Sequence, residues 1–301
     1  MLSLRRVLRT AVTSRLPEWL KRPLRPGVYG PRFRLRLATA GYRVLPDFVI
    51  LGAQKAGTVS LYRYLIEHPC VLPAWSKEAL YFTHNYTKGL RWYRAMFPFR
   101  ATRERMERRR GTRCITGEAT PYSLFHPDVP RRMREAIPHA KLIVLLRDPT
   151  GRAISQFYHE TRKGHENLPI EEAFAAEKER LKGEVERLLR DPGYVSLQHQ
   201  HHSYQSRSLY LDQIKAWHAR FPREQVLILK AEHLFTEPRE TFRAVLDFLS
   251  LPPWEPKKFA RYNAGRYTRK DAALRQKLSE FFEPHNRALY EYLGVDWKWE
   301  A

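Results

Sequence analysis

Three stretches of the chain are almost continuously apolar over strand length: "FVILG" at 48–52, "KLIVLLR" at 141–147 and "QVLILK" at 225–230. Between and after them, apolar positions recur at helical spacing around 58–66, 149–163, 168–190, 205–221, 238–249 and 271–293. A short strand that is apolar throughout is buried on both faces. Such strands interleaved with helices predict a mostly parallel sheet covered on both sides. The expected fold is therefore α/β, with a P-loop-like central parallel sheet flanked by helices. "TEPRETFRAVLDFL", after the third run, shows the pattern: Pro238 suits a first turn, and Phe242, Val245, Leu246 and Leu249 form one stripe. Upstream, Pro17, Pro23, Pro26, Pro31 and Pro46 interrupt any period. Residues 1–45 accordingly read as an irregular basic arm, and 46–301 as a single domain.

With 301 residues and 43% apolar content the chain can bury a large core, which excludes a disordered protein. The formal charge of +22 changes the picture more. Eleven cations lie within residues 1–46 against the single acid Glu18, and a second basic run spans Arg100 to Arg113. Charge of this size implies an anionic partner: nucleic acid, a membrane surface, or a phosphorylated or polyanionic substrate. The only two cysteines, Cys70 and Cys114, read as free thiols in a reducing compartment, so a cytoplasmic location is expected. No apolar run reaches the roughly 18 residues needed to span a bilayer. "MLSLRRVLRTAVTSRLPEWL" is too interrupted by charge for a signal peptide. As a basic amphipathic helix it would make a peripheral membrane contact; packing against the domain is the other reading.

Two stretches carry chemistry. In "FVILGAQKAGTVSLYRYL" a buried strand breaks into a glycine-bearing turn and restarts as a helix, an arrangement that presents unpaired N–H groups to an anion. A nucleotide triphosphatase loop places lysine directly after its last glycine. Here Lys55 precedes Gly57 by two residues and Thr58 follows it. Gly57 allows close backbone approach, Thr58 and Ser60 add hydroxyls, and Lys55 adds a mobile charge. In "LIVLLRDPTGRAISQFYHE" a strand ends at Arg147, Pro149 starts a helix, and Ser155 sits about two turns inside it. An arginine at the carboxyl end of a parallel strand lies where open sheets bind ligands and can hold a phosphate with two hydrogen bonds. The competing reading is an Arg147–Asp148 surface pair with Ser155 solvated.

Taken together, Q-K-x-G-T followed some ninety residues later by R-D-P-x-x-R-A-x-S-x-F resembles the sulfotransferase family. The likeness is to its carbohydrate-modifying, heparan sulfate-type branch and related bacterial proteins. It extends through "KEALYF" (77–82), "GEATPYSLF" (117–125), "LYLDQIKAWHARFPREQVLILKAEHL" (209–234) and "FFEPHNRALYEYLGVDW" (281–297). The resemblance implies transfer of a sulfuryl group from 3′-phosphoadenylyl sulfate (PAPS) to a hydroxyl or amine, releasing PAP. It implies that Lys55, Ala56, Gly57, Thr58, Val59 and Ser60 hold the 5′-phosphosulfate, and that Arg147 and Ser155 hold the 3′-phosphate. Gly265 and Arg266 in "YNAGRYTRK" would close over that phosphate, or form only a solvated basic loop.

Sulfuryl transfer should resemble phosphoryl transfer, in which positioning and charge stabilisation dominate. Lys55 is suited to neutralise the departing oxygen, and no acidic cluster resembles a magnesium site, so no metal is expected. By resemblance Glu78 is the candidate base, with His84 as the alternative. Where glycan-modifying relatives often have lysine and histidine or glutamine near the acceptor, this chain has Ala119 and Leu80. The acceptor expected is sugar-containing, and the basic surface suits an anionic one; Trp75, Tyr81, Trp92, Tyr93 and Tyr122 supply aromatic faces that suit sugar rings or the core. The alternatives are a P-loop nucleotide kinase or NTPase, a basic nucleic-acid-binding protein, and a non-catalytic relative that only binds PAP.

Overall fold

The computed structural model describes residues 30–262 and 272–299. Five parallel strands form one sheet: β1 (Phe48–Gly52), β2 (Val71–Pro73), β3 (Ile115–Ala119), β4 (Lys141–Leu146) and β5 (Val226–Lys230), in the order β2-β3-β1-β4-β5. The apolar runs at 48, 141 and 225 become β1, β4 and β5. All five residues of β1 are buried, as are Leu142 to Leu146 of β4. Each such aliphatic side chain contributes about 1.5–3 kcal/mol when fully removed from water.

Strands β2 and β3 have no counterpart in the apolar pattern. β2 is a three-residue edge strand closed by Pro73, which has no N–H to give a further neighbour. β3 reads "ITGEA", and its two unfavourable residues are both required by packing. A Cβ on Gly117 would lie 2.5 Å from the Phe48 carbonyl oxygen and 2.6 Å from the Phe48 ring. Glu118 is 1% exposed, but its carboxylate accepts Tyr93 Oη (2.6 Å), Thr120 Oγ1 (2.7 Å) and the Ala79 N–H (2.9 Å). A buried carboxylate survives only with its lone pairs satisfied in this way.

The helices include α1 (Pro31–Ala38), α2 (Thr58–Glu67), α3 (Arg100–Arg110), α4 (Pro149–Arg162), α5 (Leu197–His201) and α6 (Ala272–Leu293). α2 and α4 leave the carboxyl ends of the adjacent strands β1 and β4. The pattern expected as one helix over 168–190 divides into Ile170–Arg180 and Glu184–Arg190, because Gly183 turns the chain at φ +75°. That expected over 205–221 begins only at Tyr210; Gln205 and Ser206 instead donate backbone N–H groups to Glu177.

The irregular lead-in expected up to residue 46 differs from the structure over its last third. Pro31 starts a helix rather than preventing one, as proline does in a first turn. Phe33 is 3% exposed and meets Trp92 edge-on at 5.8 Å, while Arg36 donates to the carbonyls of Ala95 and Phe97, both at 2.7 Å. Residues 30–45 are thus packed on the domain. Cys70 and Cys114 are free and buried, and no described helix is long and apolar enough to cross a membrane.

Candidate active site

The β1–α2 loop and the β4–α4 turn emerge side by side at the carboxyl edge of the sheet, where open parallel sheets hold ligands. Gly57 has φ +90°, and a Cβ there would come within 2.9 Å of the Phe235 ring. This position therefore demands glycine. No side chain caps the start of α2, so its first N–H groups remain for a ligand oxygen. Lys55 also lies in the left-handed region, at φ +70°, and its carbonyl accepts Arg147 Nη1 at 3.0 Å. Arg147 thereby braces the loop from the end of β4. Asp148 does not form the surface pair weighed from the sequence: its carboxylate caps α4, accepting from Thr150 N (3.1 Å) and Gly151 N (2.8 Å).

A cleft of about 690 Å³ opens over these loops, and Lys55, Gly57, Thr58, Val59, Glu78, Arg147 and Ser155 all line it. Two predicted residues lie behind the wall: Ala56 is 1% exposed, and Ser60, fully buried, accepts the Tyr262 N–H at 3.0 Å. Ser60 thus secures the segment that brings Tyr262 to the cleft. Gly265 and Arg266 fall outside the described residues. His84 does not line the cleft either. Its Nδ1 meets Thr83 Oγ1 at 2.8 Å and its Nε2 meets Gln200 Oε1 at 2.7 Å, so it stands behind Gln200, which does. Of the five aromatics, Tyr122 lines the cleft, Tyr81, Trp92 and Tyr93 are core, and Trp75 lies exposed beneath Arg36.

Burial, then the Arg162 and Arg147 guanidiniums, pull the Lys55 ammonium down to about 8. Cations crowded this closely around a half-buried lysine mark a place where an anion belongs.

Sequence reasoning missed the lattice that fixes this lysine's neighbour. Gln54 donates to Glu160 Oε1 at 3.3 Å and accepts from Arg207, whose other nitrogen binds the carbonyls of His199 and Gln200, both at 2.8 Å. Glu160 Oε2 meets His165 Nδ1 (2.7 Å) and His201 Nδ1 (2.9 Å). Burial pushes the Glu160 carboxyl up, but the hydrogen bonds from the two histidines outweigh it and hold the group well below the usual carboxylate range. The carboxylate and two imidazoles lie within 4.8 Å of one another, a grouping that could in principle ligate a metal. Lys55 and Arg207 stand close by, however, and the hydrogen bonds already account for the arrangement. His159 and Glu160 follow Ser155 by one helical turn on α4, the one signal in the sequence that could have revealed this wall.

Comparison with known proteins decides what the cleft belongs to. The model of the sulfotransferase domain matches residues 45–287. The chain belongs to the sulfotransferase domain family. Among similar proteins is the membrane-associated sulfotransferase kil1 of Dictyostelium discoideum, 26% identical over 85% of this chain and 67% of the relative. Another is the human heparan sulfate glucosamine 3-O-sulfotransferase 6, 30% identical over 91% of this chain and 79% of its own. A solved sulfotransferase from Alicyclobacillus acidocaldarius superposes with a TM-score of 0.62 at 29% identity, covering 86% of this chain and all of that one. The protein is thus a PAPS-dependent sulfotransferase, and the kinase and nucleic-acid-binding alternatives fall away.

Proposed function

We propose that this sulfotransferase moves the sulfuryl group of PAPS onto a hydroxyl of a carbohydrate, with Lys55 stabilising the departing oxygen and Glu78 taking the acceptor proton. One observation carries the reading: Lys55, Thr58, Glu78, Arg147 and Ser155, from three distant stretches of chain, line one cleft. In this reading the start of α2, Thr58 and Lys55 hold the 5′-phosphosulfate. Arg147, braced on the loop, and Ser155 hold the 3′-phosphate. Lys55 is kept poor in solvation until anionic charge reaches it, which is where a preorganised cation does most for a transition state.

Glu78 is favoured over His84 because it lines the cleft. Lys77 Nζ engages its Oε1 at 2.6 Å and also donates to the Ala119 carbonyl at 3.3 Å. Lys77 thus sets a cation directly beside the candidate base. The Ala79 N–H on Glu118 fixes the segment just after Glu78, so the base is placed by a buried carboxylate. The carbohydrate acceptor is supported by relatives named for heparan sulfate glucosamine and by Tyr122 at the cleft wall. The test is transfer of labelled sulfate from PAPS to a panel of oligosaccharides and simple phenols. Transfer to sugars alone supports the acceptor class; transfer to phenols alone overturns it.

A further inference from the structure

The cleft uses only a few of the chain's cations. Thirteen arginines against three acids lie in residues 30–47 and 91–113, two segments joined into one surface. The Val44 N–H bonds the Pro98 carbonyl at 3.1 Å, Arg43 pairs with Phe99 across an isolated bridge, and Arg91 donates to the Ala38 carbonyl at 3.3 Å. The surface continues into α3. Arg103 and Arg113 bind the two oxygens of Asp47, at 3.2 and 2.8 Å, and Asp47 immediately precedes β1. α3 therefore sits at the amino-terminal edge of the sheet, away from the cleft at the carboxyl edge.

Nine of these arginines are exposed: Arg32, Arg34, Arg91, Arg100, Arg105, Arg108, Arg109, Arg110 and Arg113. Glu104 is the one exposed acid among them, since Glu107 turns to Arg103 and the Cys114 N–H. Large apolar side chains accompany the charge. Of the eight that stand exposed among the described residues, three are here, Tyr42 (74%), Leu35 (66%) and Phe99 (36%), and a fourth, Trp75 (37%), adjoins them beneath Arg36.

We propose that this arginine face docks the enzyme on an anionic lipid bilayer. Charge alone would suit any polyanion, but exposed leucine and aromatic side chains among arginines match a headgroup interface, where apolar groups enter the acyl boundary and cations meet lipid phosphates. The chain preceding Gly30 adds seven cations and one acid and leads directly into this face. Docking through α3, at the amino-terminal edge, leaves the cleft at the carboxyl edge open to water.

The experiment is co-sedimentation of the full chain with vesicles of phosphatidylcholine alone and with added phosphatidylserine. Binding should require phosphatidylserine and weaken with salt. Replacing Arg105, Arg108, Arg109 and Arg110 together with glutamate should lower partitioning by roughly 100-fold or more. The glutamine version should give a smaller loss, and Leu35→Ser with Tyr42→Ser a several-fold loss. Melting temperature and PAP affinity should stay unchanged in all of them. Equal binding by the glutamate and glutamine variants and the parent would overturn the proposal. So would equal binding to phosphatidylcholine alone, or tighter binding to duplex DNA than to the charged vesicles at matched salt.

Discussion

In the cleft, Lys55, Arg147 and Arg207 are partly or wholly shielded from water, and each is fixed by a named partner or a constrained backbone. On the outer face formed by α1, residues 91–99 and α3, nine exposed arginines stand with one exposed acid. The two regions carry the same sign of charge but work by different physics. Where water is excluded, an uncompensated cation is costly, and a ligand that brings the missing anion is strongly selected. Where water is present, each charge is worth little and is screened within about 8 Å at physiological salt. Selectivity therefore belongs to the cleft, and non-specific attraction to the outer face. A large net charge says nothing by itself about which is which.

The sharpest way to break this contrast is to remove chemistry from the cleft while leaving its binding intact. Glu78→Gln should cut turnover by about 10²–10⁴-fold with PAP affinity preserved, as measured by labelled sulfate transfer and titration. Near-normal turnover would return the proton to another group, His84 first. Next in size is Glu118→Ala, which strands the Tyr93 hydroxyl, the Thr120 hydroxyl and the Ala79 N–H inside the protein. A loss of about 2–4 kcal/mol in denaturant unfolding is expected, against little change for an exposed glutamate such as Glu104.

Those two glutamates also show what a sequence can and cannot disclose. β1, β4 and β5 were legible because burial on both faces makes a strand apolar at every position. β3 was not, because Gly117 answers a contact with Phe48 and Glu118 answers three donors from residues 79, 93 and 120. None of these adjacencies exists before the chain folds. The loop around Lys55 and the turn at Arg147 were legible because strand, turn and helix are contiguous in sequence. The Gln54–Glu160–His165–His201–Arg207 lattice was not, since it gathers side chains from three distant stretches of the chain. Residues 31–45 were misread for a third reason: proline was weighed as a breaker where it begins a helix.

Smaller effects separate the two regions further. Lys55 is depressed to about 8 in the free enzyme, and a bound anion should raise it. Binding then takes up a proton above pH 8. PAP affinity should be insensitive to this group well below that value and fall above it, by at most about tenfold per pH unit. Lys55→Arg, which does not titrate in this range, should flatten the profile. Added salt should produce a steeper loss for vesicle binding than for PAP binding, because the outer arginines are the more exposed to screening.

Calorimetric titration with PAP, and separately with Mg·ATP, of the parent enzyme, Lys55→Ala and Arg147→Ala tests the central claim most directly. The account predicts PAP binding by the parent and a loss of roughly 10- to 150-fold, about 1.5–3 kcal/mol, in each variant. Unchanged PAP affinity in both variants, or preference for Mg·ATP, would contradict the assignment of this cleft to the donor.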